Sequence, residues 1–215
     1  MKKLLLILML LPTFLVAQFK IDTLKAEGSF SKVYDVQLSK EQLHQKSLEW
    51  IAITFKDSNE VIKLNTEDKV ICKGFFNVDI ISMGYKFKHK VYNIVEVAFK
   101  ENKYKLDFHS FVVHASVQGT SFETPYSQYV SCLNKESYIN YLNLLMVDNP
   151  TNGLVSDKRV KKIYTKILSN PKLIDENMAK GVVFEKQYTS QIKNNVENLA
   201  DDLNKYIMKK SSEEW

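Results

Sequence analysis

Residues 38–55 carry the strongest helix-start signal in the chain, and they constrain the fold more than any other segment. Ser39 can act as the N-cap, and Gln42, three residues later, can reach back to complete a capping box. One helical face then collects the apolar residues at three- and four-residue spacing, namely Leu48, Ile51, Ala52 and Phe55. The pattern predicts a helix at residues 40–56 that needs a sheet to pack against.

The region after this helix alternates between apolar and polar residues, which is the period of a strand. Two long strands are predicted at residues 91–100 and 104–114, and the short connection between them predicts a hairpin. The predicted core face of the second strand consists of Tyr104, Leu106, Phe108, Ser110 and Val112. The first strand is apolar on both faces, so we expect a sheet that is covered on both sides or that has an apolar groove.

Shorter strands are predicted at residues 30–38, 60–65 and 70–78, whereas residues 82–90 and 115–128 are predicted to be loops. Helices are predicted at residues 135–147, 156–168 and 190–209, with a short helical turn at residues 173–180 that Gly181 closes. We therefore expect an α+β domain at residues 18–120 and a mostly helical region at residues 121–215. The last helix, at residues 190–209, is expected to pack on the sheet.

The first 17 residues have the three parts of a secretory signal peptide. Lys2 and Lys3 form the charged part, residues 4–11 form the apolar part, and cleavage is predicted after Ala17. The apolar run is shorter than the ~20 residues that span a bilayer; an uncleaved anchor is the alternative. We expect an exported protein, periplasmic or secreted, with no transmembrane segment after the signal is removed.

The charge balance does not favour a nucleic-acid partner. The chain has 30 basic and 25 acidic residues, and two of the basic residues belong to the predicted signal peptide. Arg159 is the only arginine, although arginine is the residue best suited to bidentate contacts with phosphate and guanine. The composition therefore predicts no nucleic acid among the partners.

Two cysteines, Cys72 and Cys132, follow the predicted signal peptide. In an oxidising compartment they could form a disulfide. The alternative is two separate buried thiols that each act as a small apolar side chain. The sequence leaves both possibilities open, because it does not show whether the two residues approach each other.

Residues 36–114 resemble a family of uncharacterised secreted domains of Gram-negative bacteria that have a fold like the TATA-box-binding protein (TBP). The resemblance lies in Ser39-Lys40-Glu41, Trp50, Phe55-Lys56-Asp57-Ser58, Val61-Ile62, Ile71-Cys72-Lys73-Gly74 and Tyr104-Lys105-Leu106. It implies an α+β fold of the β-α-β4-α type, with a curved antiparallel sheet, helices on one face and a C-terminal helical extension. The resemblance implies no known activity.

The histidines do not predict a metal site. His109 and His114 are five residues apart, which places them on opposite faces of a regular strand, and no other pair has a zinc-binding spacing. Glycine-rich phosphate loops and nucleophile elbows are also missing from the sequence. We therefore expect no cofactor and assign no catalytic residue.

Lys105, Asp107 and His109 are predicted to share one face of the last strand. A charged row beside an apolar sheet could bind a ligand, or it could simply be a solvated strand face. We expect a non-enzymatic binding module of the cell envelope, whose partner is a protein, a lipid or a small molecule. The alternative is a hydrolase in which Asp107 and His109 act as an acid–base pair next to a nucleophile.

Overall fold

The computed structural model describes residues 20–22, 29–55, 61–82, 84–117, 120–147 and 157–209. The strands are β1 (Lys20–Asp22), β2 (Ser29–Asp35), β3 (Ile62–Asn65), β4 (Lys69–Ser82), β5 (Tyr85–Lys100), β6 (Lys103–Val117) and β7 (Thr120–Pro125). The helices are α1 (Lys40–Phe55), α2 (Ser127–Ser131), α3 (Lys135–Val147), α4 (Asp157–Leu168) and α5 (Pro171–Met208). The predicted signal peptide at residues 1–17 lies outside the described residues.

All seven strands form one antiparallel sheet in the order β1-β2-β6-β5-β4-β3, and β7 pairs with the far end of β6. The predicted α+β class with a curved antiparallel sheet is confirmed. The β-α-β4 order is formed by β2, α1 and the strands β3 to β6. The sheet has two additional strands, β1 and β7, that the sequence did not predict.

Helix α1 begins where the capping box predicts. The Ser39 Oγ accepts a hydrogen bond from the Gln42 amide at 3.2 Å, and the Gln42 Oε1 accepts from the Ser39 amide at 3.0 Å. The helix buries Leu43, Ser47, Trp50 and Ile51 against the sheet. Each buried apolar side chain contributes about 1.5–3 kcal/mol, so the packed face outweighs the cap, which contributes about 1 kcal/mol.

The main core lies between one face of the sheet, here called the inner face, and helices α1 and α5. Its largest fully buried side chains include Trp50, Tyr104, Tyr188 and Phe108. Polar contacts fix the two helices to each other: the Trp50 indole donates to Asp202 at 2.8 Å, and Lys46 donates to the carbonyl of Ile207 at 3.1 Å. The C-terminal half of α5 therefore covers the sheet together with α1.

Helix α5 is one continuous helix of 38 residues, about 57 Å long at ~1.5 Å per residue. The prediction of a short turn closed by Gly181 and a separate helix at residues 190–209 is wrong. Gly181 lies inside the helix. The position requires a glycine because the side chain of Cys132, at the end of α2, occupies the space where a Cβ of residue 181 would stand. The glycine is a packing residue here and does not terminate the helix.

A second apolar cluster lies between the N-terminal half of α5 and helices α2, α3 and α4. Its buried members are Cys132, Tyr138, Leu142 and Ile174. Cys72 belongs to the main core instead. Both cysteines are free and buried, so the structure does not contain the disulfide that the sequence left open. Among the described residues, no helix is both long enough and apolar enough to cross a membrane.

The segments predicted as loops at residues 82–90 and 115–128 are mostly strand. Strand β5 begins at Tyr85, directly after a tight turn in which Gly84 has a φ of 80°. A positive φ of this kind suits glycine because it has no Cβ, and the turn lets all of β4 pair with β5. Residues 85–88 are exposed on both faces of this hairpin, so this end of β5 has no buried face that would indicate a strand.

Strand β6 contains a bulge at Ser110, which has a φ of 56°. Between the pairs Tyr92–Val112 and Ile94–His109, β6 uses one residue more than β5. The extra residue reverses the alternation, so Phe111 and Val113 are buried beyond the bulge. The prediction that Ser110 and Val112 belong to the core face is therefore wrong, whereas Tyr104, Leu106 and Phe108 are buried as predicted.

Candidate functional site

The face of the sheet opposite α1 and α5, here called the outer face, is the candidate site. The side chains on this face are half-buried or exposed, because the described helices that pack on the sheet lie on the inner face. Across the middle of the outer face run the odd-numbered residues of β4 and the even-numbered residues of β5. Two different groups of side chains occupy it: a row of charges at one end and a set of rings at the other.

The charged row contains two of the predicted site residues. The Lys105 Nζ lies 2.8 Å from an Asp107 carboxylate oxygen, and Asp107 is directly opposite Glu96 on β5. Glu96 in turn pairs with Lys69 at 3.3 Å. Both carboxylates therefore have a lysine partner, and these two ion pairs offset the repulsion between Glu96 and Asp107, which are like charges directly opposite each other.

His109 also lies on the outer face, but it does not contact Asp107 by a hydrogen bond. Its Nδ1 lies 2.9 Å from the hydroxyl oxygen of Ser110, the bulge residue. Ser110 lines a shallow cavity of about 190 Å³ that it shares with Phe111, Val112, Pro125 and Ser127. The structure thus places beside His109 a serine that the sequence predicted to lie on the core face.

Three rings form a continuous series on the outer face, here called the aromatic ladder: Phe75 on β4, Tyr92 on β5 and His114 on β6. The ring centroids of Phe75 and Tyr92 are 5.6 Å apart, and those of Tyr92 and His114 are 4.4 Å apart. Phe75 is 48% exposed, so about half of its surface is open to a ligand.

Charged groups surround the aromatic ladder. The Lys73 ammonium lies 5.1 Å from the Tyr92 centroid, and the Lys90 ammonium lies 5.0 Å from the Phe75 centroid. At the other end, the His114 Nε2 lies 3.0 Å from a carboxylate oxygen of Glu123 on β7. The cations lie over ring faces, where they are attracted by the ring quadrupole.

The aromatic ladder is not evident in the sequence, because it depends on how the strands pair. The pairing of β4 with β5 sets Phe75 directly opposite Tyr92, and the bulge at Ser110 brings His114 to the same face. One signal was present in the sequence: Phe75 and Tyr92 are large rings at positions where the alternation of side chains along each strand points outward.

The bulge also changes the face on which one of the two histidines of β6 lies. His109 and His114 lie on the same face, and not on opposite faces, because the extra residue lies between them. They remain apart, since His109 is opposite Ile94 and His114 is opposite Lys90. Within the part of the chain that the structure describes, no group of three histidine, cysteine or acidic side chains could hold a metal ion.

A wider cleft of about 520 Å³ lies at the start of α1 and is lined by Ser39, Lys40, Glu41, His44, Glu67 and Glu101. Its polar groups are largely satisfied within the protein. Lys40 forms an ion pair with Asp68, and Glu101 accepts a hydrogen bond from the Lys40 amide at 3.2 Å. We therefore regard this cleft as the solvated surroundings of a helix cap.

Comparisons with known proteins find two solved structures that share some similarity with this chain. The structure is similar to a TBP-like protein from Parabacteroides distasonis, with a TM-score of 0.46, 11% identity, and coverage of 87% of this chain and 97% of that chain. It is also similar to a DUF4468 family protein from Bacteroides ovatus, with a TM-score of 0.43, 14% identity, and coverage of 77% and 88%. No protein-family profile and no curated protein matches the sequence.

Proposed function

We propose that this protein is a non-enzymatic binding module, and that the aromatic ladder on the outer face binds a small molecule with a flat ring and an anionic group. The observation that carries the proposal is the exposed ring series of Phe75, Tyr92 and His114 with Lys73 and Lys90 over it. Rings offer a stacking surface, and ammonium groups next to the rings attract a carboxylate, sulfate or phosphate.

The energies favour a ligand that uses both features. An aromatic contact contributes about 0.5–1.5 kcal/mol beyond the area that it buries, and an exposed cation–π contact contributes about 0.5–1 kcal/mol. A lysine that leaves its ring for an anionic group exchanges one weak contact for a stronger charged hydrogen bond. A neutral ring gains only the stacking part, and an anion without a ring gains only the charged part.

The test uses naphthalenesulfonate as the probe, because it has a flat ring and a single negative group. We expect the amide NMR signals of the ladder strands to shift during titration, and we expect Phe75→Ala to weaken binding about tenfold, the loss of one stacked ring. Ile81→Ala is the matched control, since Ile81 is an exposed apolar residue of the same strand, 62% accessible. Naphthol, which has no anionic group, should bind more weakly to the wild type.

Shifts spread over the whole protein, or equal binding by the Phe75→Ala and Ile81→Ala variants, would refute the proposal. The natural ligand can then be sought by native mass spectrometry of protein purified from its own compartment. A bound small-molecule mass that disappears in the Phe75→Ala variant is expected.

The proposal includes export to the periplasm or the exterior, and it rests on the signal-peptide features of residues 1–17. Mass spectrometry of protein from the host should find a chain that begins at Gln18. A chain that retains Met1 to Ala17 in the cytoplasmic fraction would contradict export, and a membrane-bound chain that retains those residues would support the uncleaved anchor.

One observation favours a second candidate function, a hydrolase that uses His109. Ser110 lies within hydrogen-bonding distance of His109 beside a cavity, and its φ of 56° is rare for a serine. Because Asp107 forms an ion pair with Lys105, it would influence His109 only through the electrostatic field of its carboxylate. Labelling by a fluorophosphonate that Ser110→Ala abolishes and Ser116→Ala preserves would support this function; an unlabelled wild type would exclude a serine nucleophile of this reactivity.

A further inference from the structure

Most of the net charge of the chain lies in one helix. Helix α4 contains five basic residues, Lys158, Arg159, Lys161, Lys162 and Lys166, and one acidic residue, Asp157. The whole chain has 30 basic and 25 acidic residues, so 25 basic and 24 acidic residues remain outside α4. A helix of 12 residues thus accounts for +4 of the net charge of +5.

The five basic side chains share one side of α4. At 100° per residue they span less than half of the helix circumference, and the apolar residues occupy the opposite side. Tyr164, Ile167 and Leu168 pack into the second apolar cluster with α3 and α5. This packing fixes the orientation of the helix, so its basic side points away from the protein.

All five basic side chains are exposed. None of them forms an ion pair or a hydrogen bond with another residue of the described ranges, whereas Lys135 on the neighbouring α3 pairs with Asp175 of α5 at 2.6 Å. Asp175, on the helix that follows α4, therefore pairs with Lys135 and does not neutralise the basic residues of α4. A concentration of unpaired cations on one rigid surface creates a local positive potential that attracts anions.

We propose that the basic side of α4 docks the protein on a membrane surface that contains anionic phospholipids. Four of the five basic residues are lysines, which act as point charges and do not require the bidentate geometry that arginine recognises. The surface is the outside of a single helix, about 12 Å from Lys158 to Lys166. It has the shape for a flat layer of charged headgroups and offers no groove for a nucleic-acid strand.

The docking is mainly electrostatic, because Tyr164, Ile167 and Leu168 of α4 pack into the protein's own second apolar cluster, whereas Ile163 at the edge of the helix is 48% exposed. The helix therefore lies on the headgroups and does not insert into the acyl chains. Each basic residue near an anionic membrane strengthens binding by about fivefold. The attraction decreases as salt is added, since the screening length falls to about 10 Å at 0.1 M ionic strength.

The experiment is sedimentation with vesicles of phosphatidylcholine, with or without phosphatidylglycerol. The chain that starts at Gln18 is used, because the apolar residues 4–11 would themselves bind any vesicle. We expect binding only to the vesicles with phosphatidylglycerol, and weaker binding at higher salt. Replacing Lys158, Lys161, Lys162 and Lys166 together by glutamine should reduce the partition coefficient by roughly several hundred-fold.

The matched control replaces four other exposed lysines, Lys88, Lys100, Lys103 and Lys186, by glutamine. It removes the same charge from the sheet and from α5 and should leave most of the binding intact, while circular dichroism checks that both variants are folded. Equal losses in the two variants, or equal binding to both kinds of vesicle, would overturn the proposal. Binding to duplex DNA in the absence of binding to the anionic vesicles would overturn it as well.

Discussion

The substitution Gly181→Ala tests whether the long helix α5 needs a glycine at its contact with α2. In an exposed helix interior this change would stabilise the protein by about 1 kcal/mol, because alanine has the higher helix propensity. In this structure the new Cβ would lie 2.8 Å from the Cβ of Cys132 and would also clash with its Sγ. Non-bonded carbon atoms are normally ~3.5–4.0 Å apart.

The magnitude follows from these two opposing effects. Adding a methyl group to a tightly packed contact costs about 1–3 kcal/mol, and the cost falls near the upper end when backbone-attached atoms must move. The Cβ of Cys132 is such an atom, since it moves only with the backbone at the C-terminal cap of α2. We therefore expect a net loss of about 1–2 kcal/mol in the free energy of unfolding after the gain in helix propensity is subtracted.

Urea denaturation followed by tryptophan fluorescence measures this loss. Ala179→Gly is a control for helix propensity, because Ala179 is exposed on the same helix; it should cost about 1 kcal/mol. In a Cys132→Gly background, which removes both clashing atoms, Gly181→Ala should change sign and stabilise the protein. If Gly181→Ala stabilises the wild-type background, the packing explanation for the glycine is wrong.

Three further predictions concern buried polar and ionisable groups. Both amide atoms of Asn93 are buried without a hydrogen-bond partner in the described structure, so Asn93→Val should raise the free energy of unfolding by about 1 kcal/mol in urea denaturation, and a decrease would show that the amide is satisfied. Burial lowers the pKa of His89 below its ordinary value of 6.5. The unfolded chain therefore binds more protons than the folded chain below pH 6.5, so the free energy of unfolding decreases as the pH falls from that value. His89→Gln should reduce this pH dependence of the free energy of unfolding. An unchanged pH dependence would show that His89 is not its source. Burial also raises the pKa of the Cys72 thiol to about 12 and raises the pKa of Cys132, so a thiol reagent should modify neither cysteine in the native protein and both in denaturant, whereas a disulfide would leave both unmodified.

The elements that the sequence predicted correctly depend on local signals. The capping box at Ser39 and Gln42 determines the start of α1, and the two-residue turn at Glu101 and Asn102 determines the β5–β6 hairpin. Asn102 has a φ of 60°, a conformation that asparagine tolerates better than most residues. Such signals lie within a few residues of each other, so the sequence alone is enough to read them.

The elements that the sequence mispredicted depend on distant contacts. Gly181 has the composition signal of a helix end, but the packing of Cys132 explains its presence inside α5. The bulge at Ser110 has no local signal, because serine does not favour a positive φ. Lys105, Asp107 and His109 precede the bulge, so the regular alternation of a strand correctly predicts that they share one face. His114 follows the bulge, so the sequence did not predict its position beside Tyr92.

The contact between α1 and the end of α5 has a consequence for how the chain must fold. Lys46 binds the carbonyls of Ile207 and Lys209, and Trp50 binds Asp202, across more than 150 positions of sequence. A ribosome therefore completes every strand of the sheet before it makes the helix that covers the strands. Contacts so distant in sequence slow folding, and the part of the inner face that α5 covers stays exposed until the last turns of α5 emerge.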